Sequence, residues 1–166
     1  EMHLISNESN PKKFGYPVEG FIGTIKQKKG WEENWIDCFL NLRIKPQLSI
    51  LEKKYLDLKT KYKIHEKIKL ELINHNPMNA LIHGDLWSGN IGNDQYGKGI
   101  IFDPACWWAD SEVDIAMTHL FGGFSREFYE EYHKIIPLKK GYEKRLIIYN
   151  FYHILNHANM FGGSYY

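Results

Sequence analysis

The chain has 166 residues and a mass of 19.6 kDa, with 43% hydrophobic and 25% charged residues, a composition typical of one globular domain. Its 21 lysines and arginines nearly balance 20 acidic residues, so the net charge of +1 excludes a strongly basic nucleic-acid-binding protein. With two cysteines, no apolar run near 20 residues and no signal-peptide pattern, we expect a reduced cytoplasmic protein without a membrane span.

The first part of the chain changes character after a glycine-rich start. Glycine and proline recur throughout 1–30, which predicts irregular structure. From Trp31 onward the apolar residues fall at helical spacing, so we expect a helix over 31–44 that Pro46 kinks or restarts. Trp35, one turn after Trp31, is a candidate both for the core and for contact with a sugar.

The later elements are predicted from the same kinds of pattern. The apolar stripe continues through Leu48, Leu51, Tyr55 and Leu58, and another helix is marked by Ile64, Ile68 and Leu72. A strand over 80–82 is followed by a loop over 83–90, a turn over 93–97 and a strand over 99–102, as in a small hairpin. Three more helices are predicted over 111–120, 125–135 and 142–160. These elements indicate an α+β, mainly helical fold in a single lobe.

The strongest chemical signal lies in the loop before the hairpin. It reads HGDLWSGN from His83 to Asn90, and Phe102-Asp103-Pro104 follows the hairpin. This order matches the H-x-D-L-x-x-x-N motif and the later aspartate of kinase-type phosphotransfer sites. Asp85 can accept the proton of an attacking hydroxyl, while Asn90 and Asp103 supply oxygen ligands for Mg²⁺.

Acidic residues concentrate around this motif. Six carboxylates against Lys98 alone fall between Asp85 and Asp114, and carboxylates held close together repel each other unless a cation lies between them. The alternative is that these carboxylates cap helices. We interpret Asp110, Glu112 and Asp114 in that way, because they stand where a predicted helix begins and acidic groups favour that end of a helix.

The motif belongs to a longer pattern. HGDLWSGN, then FDPACWWADSEVDIAM, then NHANMFGGSYY at the end resemble the fructosamine kinase (ketosamine-3-kinase) family, in the aminoglycoside phosphotransferase and choline kinase branch of the protein-kinase-like fold. H-G-D-x-x-x-x-N is shared across the branch, whereas LWSGN, FDPA and FGGFSREFYEEYHKIIP narrow the match to the ketosamine kinases. The resemblance covers nearly the whole chain.

The resemblance implies a reaction and a set of site residues. The γ-phosphoryl of ATP would pass to the 3-hydroxyl of a ketosamine, such as a fructosamine or ribulosamine on a protein lysine or a small amine, which leads to protein deglycation. No nucleic acid or membrane partner is implied. The site residues would be Asp85 and His83 for catalysis, Asn90 and Asp103 for Mg²⁺ and its ATP, and Trp87, His157 and Trp35 for the acceptor.

The resemblance also implies which part of the kinase fold the chain forms. No glycine-rich phosphate loop or strand lysine precedes the motif, and residues 1–30 already match the family after the hinge. We therefore expect 1–166 to be the C-terminal catalytic and acceptor-binding lobe, with its small hairpin carrying the catalytic loop and with the N-terminal nucleotide-binding lobe absent.

Two other functions stay open at this point. The first is a kinase-like lobe for another small acceptor of the aminoglycoside or choline type, against which LWSGN and FGGSY argue. The second is a truncated, non-catalytic binding module, against which the complete set of Asp85, Asn90 and Asp103 argues.

Overall fold

The computed structural model describes residues 2–4, 10–51 and 56–165. Its strands are β1 Phe14–Tyr16, β2 Gly20–Ile22, β3 Ile25–Gln27, β4 Gly30–Glu32, β5 Asn79–Ile82, β6 Ile91–Asn93, β7 Gly99–Ile101 and β8 Trp107–Asp110. Its α-helices are α1 Trp35–Cys38, α2 Lys45–Ile50, α3 Leu58–Leu72, α4 Glu112–Leu120, α5 Arg126–Ile135 and α6 Tyr142–Phe161, with a π-helical turn at Phe39–Ile44. The α+β fold class is confirmed.

A four-stranded antiparallel sheet, in the order β4-β1-β8-β5, forms the centre of the molecule, and β2-β3 and β6-β7 are separate hairpins. The expectation of irregular structure over 1–30 is therefore wrong from Phe14 onward, while residues 1 and 5–9 lie outside the described residues. Gly15 explains the error, because it sits mid-sheet with φ of +125°, where a Cβ would lie 2.0 Å from the Gly30 carbonyl oxygen. Glycine here permits close approach of two strands and does not interrupt them.

The first long helix begins later than its periodicity suggests. Because Gly30–Glu32 is a strand, the helix starts at Trp35, where the Asn34 side chain accepts a hydrogen bond from the Asp37 amide at 2.9 Å. At Pro46 the helix changes type, because a π-helical turn over Phe39–Ile44 passes into α2, which begins at Lys45 with Pro46 in its first turn.

Arg43 bonds to a carbonyl of this π-helical turn. Pro46 has no N–H to offer the Leu42 carbonyl four residues earlier, and Arg43 Nη1 donates to that carbonyl at 2.9 Å in its place.

The remaining predicted elements are confirmed to within a few residues at their ends. The helix through Ile64 and Leu72 is α3, the strand over 80–82 is β5, and the strand over 99–102 is β7. β7 pairs with β6, a strand that the sequence pattern does not indicate. The three later helices are α4, α5 and α6. Tyr55, part of the predicted stripe, lies outside the described residues, and α2 ends at Ile50 before it.

The core is rich in aromatic rings. Trp35 stacks between Phe39 and Trp107 at centroid distances of 5.4 and 5.6 Å, and its Nε1 donates to the Tyr149 hydroxyl at 3.0 Å. At 3% exposure it joins the first helix to β8 and α6. Among the described helices, none combines the length and apolar character that a membrane span requires.

Candidate active site

The HGDLWSGN loop connects β5 to the β6-β7 hairpin, and buried His83 fixes its start. The His83 ring receives a hydrogen bond from the Asp85 amide on Nδ1 at 3.3 Å, so its proton lies on Nε2, which donates to the Phe102 carbonyl at 2.9 Å. One neutral imidazole thus connects the loop to the segment that follows β7.

Asp114 anchors the same loop by accepting hydrogen bonds from its backbone amides. This fully buried carboxylate accepts the His83 amide at 2.7 Å and the Gly84 amide at 2.8 Å, and His3 Nε2 contacts it at 3.0 Å. Burial alone raises the pKa of Asp114, but the hydrogen bonds from His3 and the two amides outweigh burial and lower the pKa below its ordinary value. Asp114 therefore remains ionised and holds the loop backbone.

This role corrects the interpretation of Asp114 as a helix cap. The apolar neighbours of Asp114 in the sequence could have indicated this role. Asp114 stands between Val113 and Ile115, in a stretch too apolar for a helix start that faces solvent.

Gly84 is required by the turn that follows β5. Its φ is +81°, and a Cβ would lie 2.2 Å from the Ala105 carbonyl oxygen. The Ala105 amide in turn donates to the His83 carbonyl at 2.8 Å. The chain after Asp103 therefore passes directly against the start of the loop.

Asp103 is held between two of these contacts. The Phe102 carbonyl before it and the Ala105 amide after it both bond to His83. Asp103 itself has φ of 54°, in the left-handed region that aspartate tolerates better than most residues, and its side chain is exposed. A solvent-facing carboxylate is thus presented beside the HGDLWSGN loop.

Asn90 closes the loop onto Asp85. Its Nδ2 donates to the Asp85 carbonyl at 2.9 Å and to Asp85 Oδ2 at 3.2 Å. Burial raises the pKa of Asp85, while the hydrogen bond from Asn90 acts in the opposite direction. Because both contacts use the amide nitrogen of Asn90, its Oδ1 is the atom left to act as a ligand.

Asp85 lies at an open cleft of about 380 Å³. Trp87, 37% exposed, packs edge-on against Phe121 at 5.9 Å, and Phe121 also contacts the His157 ring at 4.9 Å. His157 Nδ1 donates to the His153 carbonyl at 2.8 Å, so its Nε2 is the nitrogen with a free lone pair. The cleft combines one carboxylate, one imidazole and a mostly aromatic wall.

The structure brings together six of the seven predicted site residues. Hydrogen bonds join His83, Asp85 and Asn90, and the segment that carries Asp103 bonds to His83 through Phe102 and Ala105. Trp87 and His157 share the cleft with Asp85. Trp35 does not join them, because it is buried in the core. Sequence reasoning missed the loop anchor Asp114 and the cleft residues Ile22, Gly23, Met117, Phe121, Met160, Phe161 and Tyr165.

Comparisons with known proteins agree on one family. The family model described as fructosamine kinase matches residues 1–166. A Vibrio parahaemolyticus protein named probable ketoamine kinase is 46% identical over 154 residues, covering 93% of this chain and 53% of that protein. Mouse ketosamine-3-kinase is 41% identical over 161 residues, covering 92% of this chain and 50% of that protein.

A solved structure extends the agreement to the fold. A crystal structure from Haemophilus somnus, described as a candidate fructosamine-3-kinase, superposes with a TM-score of 0.88 at 34% identity and covers 99% of this chain and 55% of that one. The chain thus spans about half the length of the relatives it matches.

Proposed function

The chain belongs to the fructosamine kinase family, and we propose that it is the catalytic and acceptor-binding lobe of a ketosamine-3-kinase. In this reaction the γ-phosphoryl of ATP is transferred to the 3-hydroxyl of a ketosamine on a lysine or a small amine. The observation that carries the proposal is the position of Asp85, which is bonded to Asn90 and faces the aromatic cleft beside the Asp103 segment.

Asp85 acts as the base that orients the acceptor hydroxyl. In phosphoryl transfer the transition state is loose, so the main tasks of the protein are positioning and charge stabilisation. The Asn90 amide holds one carboxylate oxygen of Asp85, which leaves the other for the substrate hydroxyl. The raised pKa of Asp85 moves it towards the working pH and makes it a better proton acceptor than an exposed carboxylate.

Asn90 and Asp103 fit a magnesium ion. Asn90 offers Oδ1 and Asp103 an exposed carboxylate, and both are the hard oxygen donors that Mg²⁺ prefers. When bound with ATP, the ion would neutralise phosphate charge. Buried His83 keeps both donors in reach of one another, because it bonds to the loop and to the Asp103 segment.

The cleft fits a sugar bearing an amine substituent. Trp87 and Phe121 present aromatic surface to the C–H face of a sugar, and His157 Nε2 can accept a hydroxyl proton in a hydrogen bond. The open side of the cleft leaves room for a lysine chain, so glycated proteins as well as small ketosamines are the proposed partners.

The test is phosphotransfer measured by mass spectrometry. Mg²⁺-ATP is mixed with a fructosyl-lysine peptide, choline or an aminoglycoside. The enzyme samples are this chain and a Vibrio parahaemolyticus relative in which this chain replaces the matching segment. We expect the chimera to add one phosphate to the ketosamine alone. Preferential phosphorylation of choline or the aminoglycoside would identify that compound, and not the ketosamine, as the acceptor. No transfer to any of the three would favour a non-catalytic binding module.

A further inference from the structure

His3 is a buried histidine that forms hydrogen bonds through both ring nitrogens. It is 6% exposed, its Nε2 lies 3.0 Å from Asp114 Oδ2, and its Nδ1 lies 2.8 Å from the Tyr132 hydroxyl. Because an ionised carboxylate can only accept, Nε2 carries a proton and is the donor to Asp114. The Tyr132 hydroxyl can donate or accept, so it holds the ring whether or not Nδ1 is also protonated.

These bonds join three parts of the chain that are distant in sequence. His3 belongs to the short helical turn Met2–Leu4, Asp114 to α4 and Tyr132 to α5. The His3 ring also packs edge-on against the Tyr132 ring, with the two centroids 5.8 Å apart. Two hydrogen bonds and a ring contact hold the imidazole in one orientation, with Nε2 directed at Asp114.

Asp114 has both of its oxygens occupied by donors. Oδ1 accepts from the Gly84 amide at 2.8 Å, and Oδ2 accepts from the His83 amide at 2.7 Å as well as from His3. Among the described residues, His3 is the donor that does not belong to the HGDLWSGN loop. It therefore fixes the carboxylate from outside, and the carboxylate in turn fixes the loop.

The charge of Asp114 also depends on His3. Burial raises the pKa of this carboxyl, and the hydrogen bond from His3 is the largest of the effects that lower it. A protonated carboxyl gives up part of its acceptor capacity and would hold the two loop amides less firmly. His3 thus maintains both the direction and the ionised state of the group that holds the loop.

The two loop amides lead directly to Asp85. Gly84 precedes Asp85 in the chain, and the Asp85 amide donates to His83 Nδ1 at 3.3 Å. A rotation of the His83 and Gly84 peptides would therefore turn the Asp85 carboxylate away from the acceptor hydroxyl. A misplacement of about 1 Å in a reacting group can slow a reaction about 100-fold.

We propose that His3 is a positioning residue for phosphoryl transfer, whose Nε2 holds the Asp114 carboxylate and, through the His83 and Gly84 amides, sets the direction of Asp85. This role rests on the proposed function, because it serves the reaction assigned to Asp85. Acceptor binding depends on the aromatic wall of the cleft instead. Loss of the His3 bond should therefore lower kcat and leave KM for the ketosamine unchanged.

A pair of substitutions of equal length isolates the hydrogen bond from the packing. Glutamine places Nε2–H about where histidine has its own Nε2–H, whereas methionine has a methyl group at the same distance from the backbone. His3→Gln can therefore still donate to Asp114, and His3→Met fills a similar space without a donor. A role in packing alone predicts the same result for the two variants.

The first measurement is steady-state kinetics of the chimera with Mg²⁺-ATP and a fructosyl-lysine peptide. We expect His3→Met to lower kcat about tenfold or more, since a hydrogen bond to a charged group has at least that effect, and to change KM less than about twofold. His3→Gln should keep kcat within about threefold of the wild type. Equal kcat values in the two variants, or a loss that appears in KM alone, overturn the proposal.

The second measurement does not depend on phosphotransfer. Hydrogen bonds to a carboxylate move amide protons to low field, so an NMR spectrum of the chain reports the His83 and Gly84 contacts with Asp114. Both signals should move in His3→Met and stay in place in His3→Gln. Unchanged signals in His3→Met overturn the proposal, and this result stands even if an inactive chimera removes the proposed function.

His65→Met is the matched control for both measurements. His65 is also paired with a carboxylate, with its Nδ1 3.4 Å from Glu66 Oε1, but it lies on α3 and outside the loop contacts. Neither kcat nor the two amide signals should change. If His65→Met moved them as His3→Met does, the effect would not be specific to His3 and the proposal would fail.

The wild-type chain decides the matter if His3→Met does not fold. An NMR spectrum that correlates the ring nitrogens of histidine with their protons should show a proton on His3 Nε2, at the low field typical of a bond to a carboxylate. A His3 ring protonated on Nδ1 alone overturns the proposal.

Discussion

At the scale of single residues, two aspartates of the loop region have opposite pKa shifts. Burial raises the pKa of Asp85, whereas burial is outweighed at Asp114 by hydrogen bonds from His3 and the loop amides, and the pKa of Asp114 is lowered. The number of hydrogen-bond donors decides whether the pKa rises or falls. Among the described residues, the carboxylate of Asp85 receives only the Asn90 amide. Asp85 is thus suited to accept a proton and Asp114 to remain a fixed anion.

Asp85→Asn should abolish turnover in the active chimera and leave folding intact. The asparagine can still accept the Asn90 hydrogen bond but cannot take a proton. Because the folded protein disfavours the ionised carboxylate, the free energy of unfolding of the variant at pH 7 should equal or exceed that of the wild type. The difference should shrink as pH falls from the raised pKa of Asp85 in the folded protein towards the ordinary aspartate pKa of about 3.9, below which both states are protonated. Residual turnover near wild type would remove Asp85 as the base.

Asp114→Asn should destabilise the fold by about 3 kcal/mol, because the amide cannot accept both loop N–H groups and leaves a buried donor unpaired. The lowered pKa means that Asp114 stabilises the protein above the unfolded pKa and loses this effect as pH falls through the folded value. The gap between variant and wild type in urea unfolding should therefore narrow in acid.

Asp94→Asn is the matched control for that change. Asp94 also accepts two backbone amides, those of Tyr96 and Lys98 at 2.9 Å, but in an exposed turn where asparagine is well tolerated. Equal destabilisation by the two substitutions would contradict the anchoring role of Asp114.

At the scale of elements, the pairing of β5 with β8 assembles the site. Ile82, the last residue of β5, is opposite Trp107, the first of β8, so His83 meets the residues that precede β8. The Ala105–His83 hydrogen bond extends the contact beyond the paired strands and brings the Asp103 segment towards the HGDLWSGN loop. One antiparallel register thus joins two motifs that are about twenty residues apart in sequence.

Gly15→Ala tests β1, the strand that pairs with the edge of β8 opposite β5. Gly15 pairs with Trp31 of β4 and Trp108 of β8, and an added Cβ would clash with the Gly30 carbonyl at 2.0 Å. The variant should lose roughly 2–4 kcal/mol in the free energy of unfolding.

Gly99→Ala is the control on an exposed strand. A Cβ at Gly99 meets no atom within 4 Å, and the change should stay within about 0.5 kcal/mol. If Gly15→Ala were as stable as Gly99→Ala, the close approach of β1 and β4 would be wrong.

At the scale of the whole molecule, His153 makes stability depend on pH. It is completely buried, its ring nitrogens have no partner within the described ranges, and burial lowers its pKa to about 4. The unfolded chain takes up this proton near pH 6.5 and the folded protein only near 4. Stability is therefore lost as pH falls through that interval.

His153→Phe should remove this loss. Between pH 7 and 5 the free energy of unfolding of the variant should fall by about 2 kcal/mol less than that of the wild type, as measured by urea unfolding at each pH. An NMR titration of the wild-type histidines identifies the ring that stays neutral. The same fall in both proteins would show that another group causes it.

Much of the architecture could be predicted from the sequence because helices are local. In α3 and α6 the spacing of apolar residues and the flanking stop signals lie within the element itself, and both helices were located from them. The strands of 14–32 were missed since three-residue strands have almost no pattern of their own. The first of them, β1, pairs with β8 some ninety residues later, and this partner cannot be inferred from the local sequence.

The same distinction between local pattern and contacts from distant segments applies to the candidate site. The sequence by itself determined the order H-x-D, Asn and Asp of a phosphotransfer site and the family to which it points, because these depend on residue type and spacing. Only the tertiary structure decided that Trp35 belongs to the core, that Asp114 anchors the loop and that Arg43 is buried. Periodicity shows that a side chain points inward, but its partners come from distant segments, and partners decide whether a buried group packs, anchors or binds.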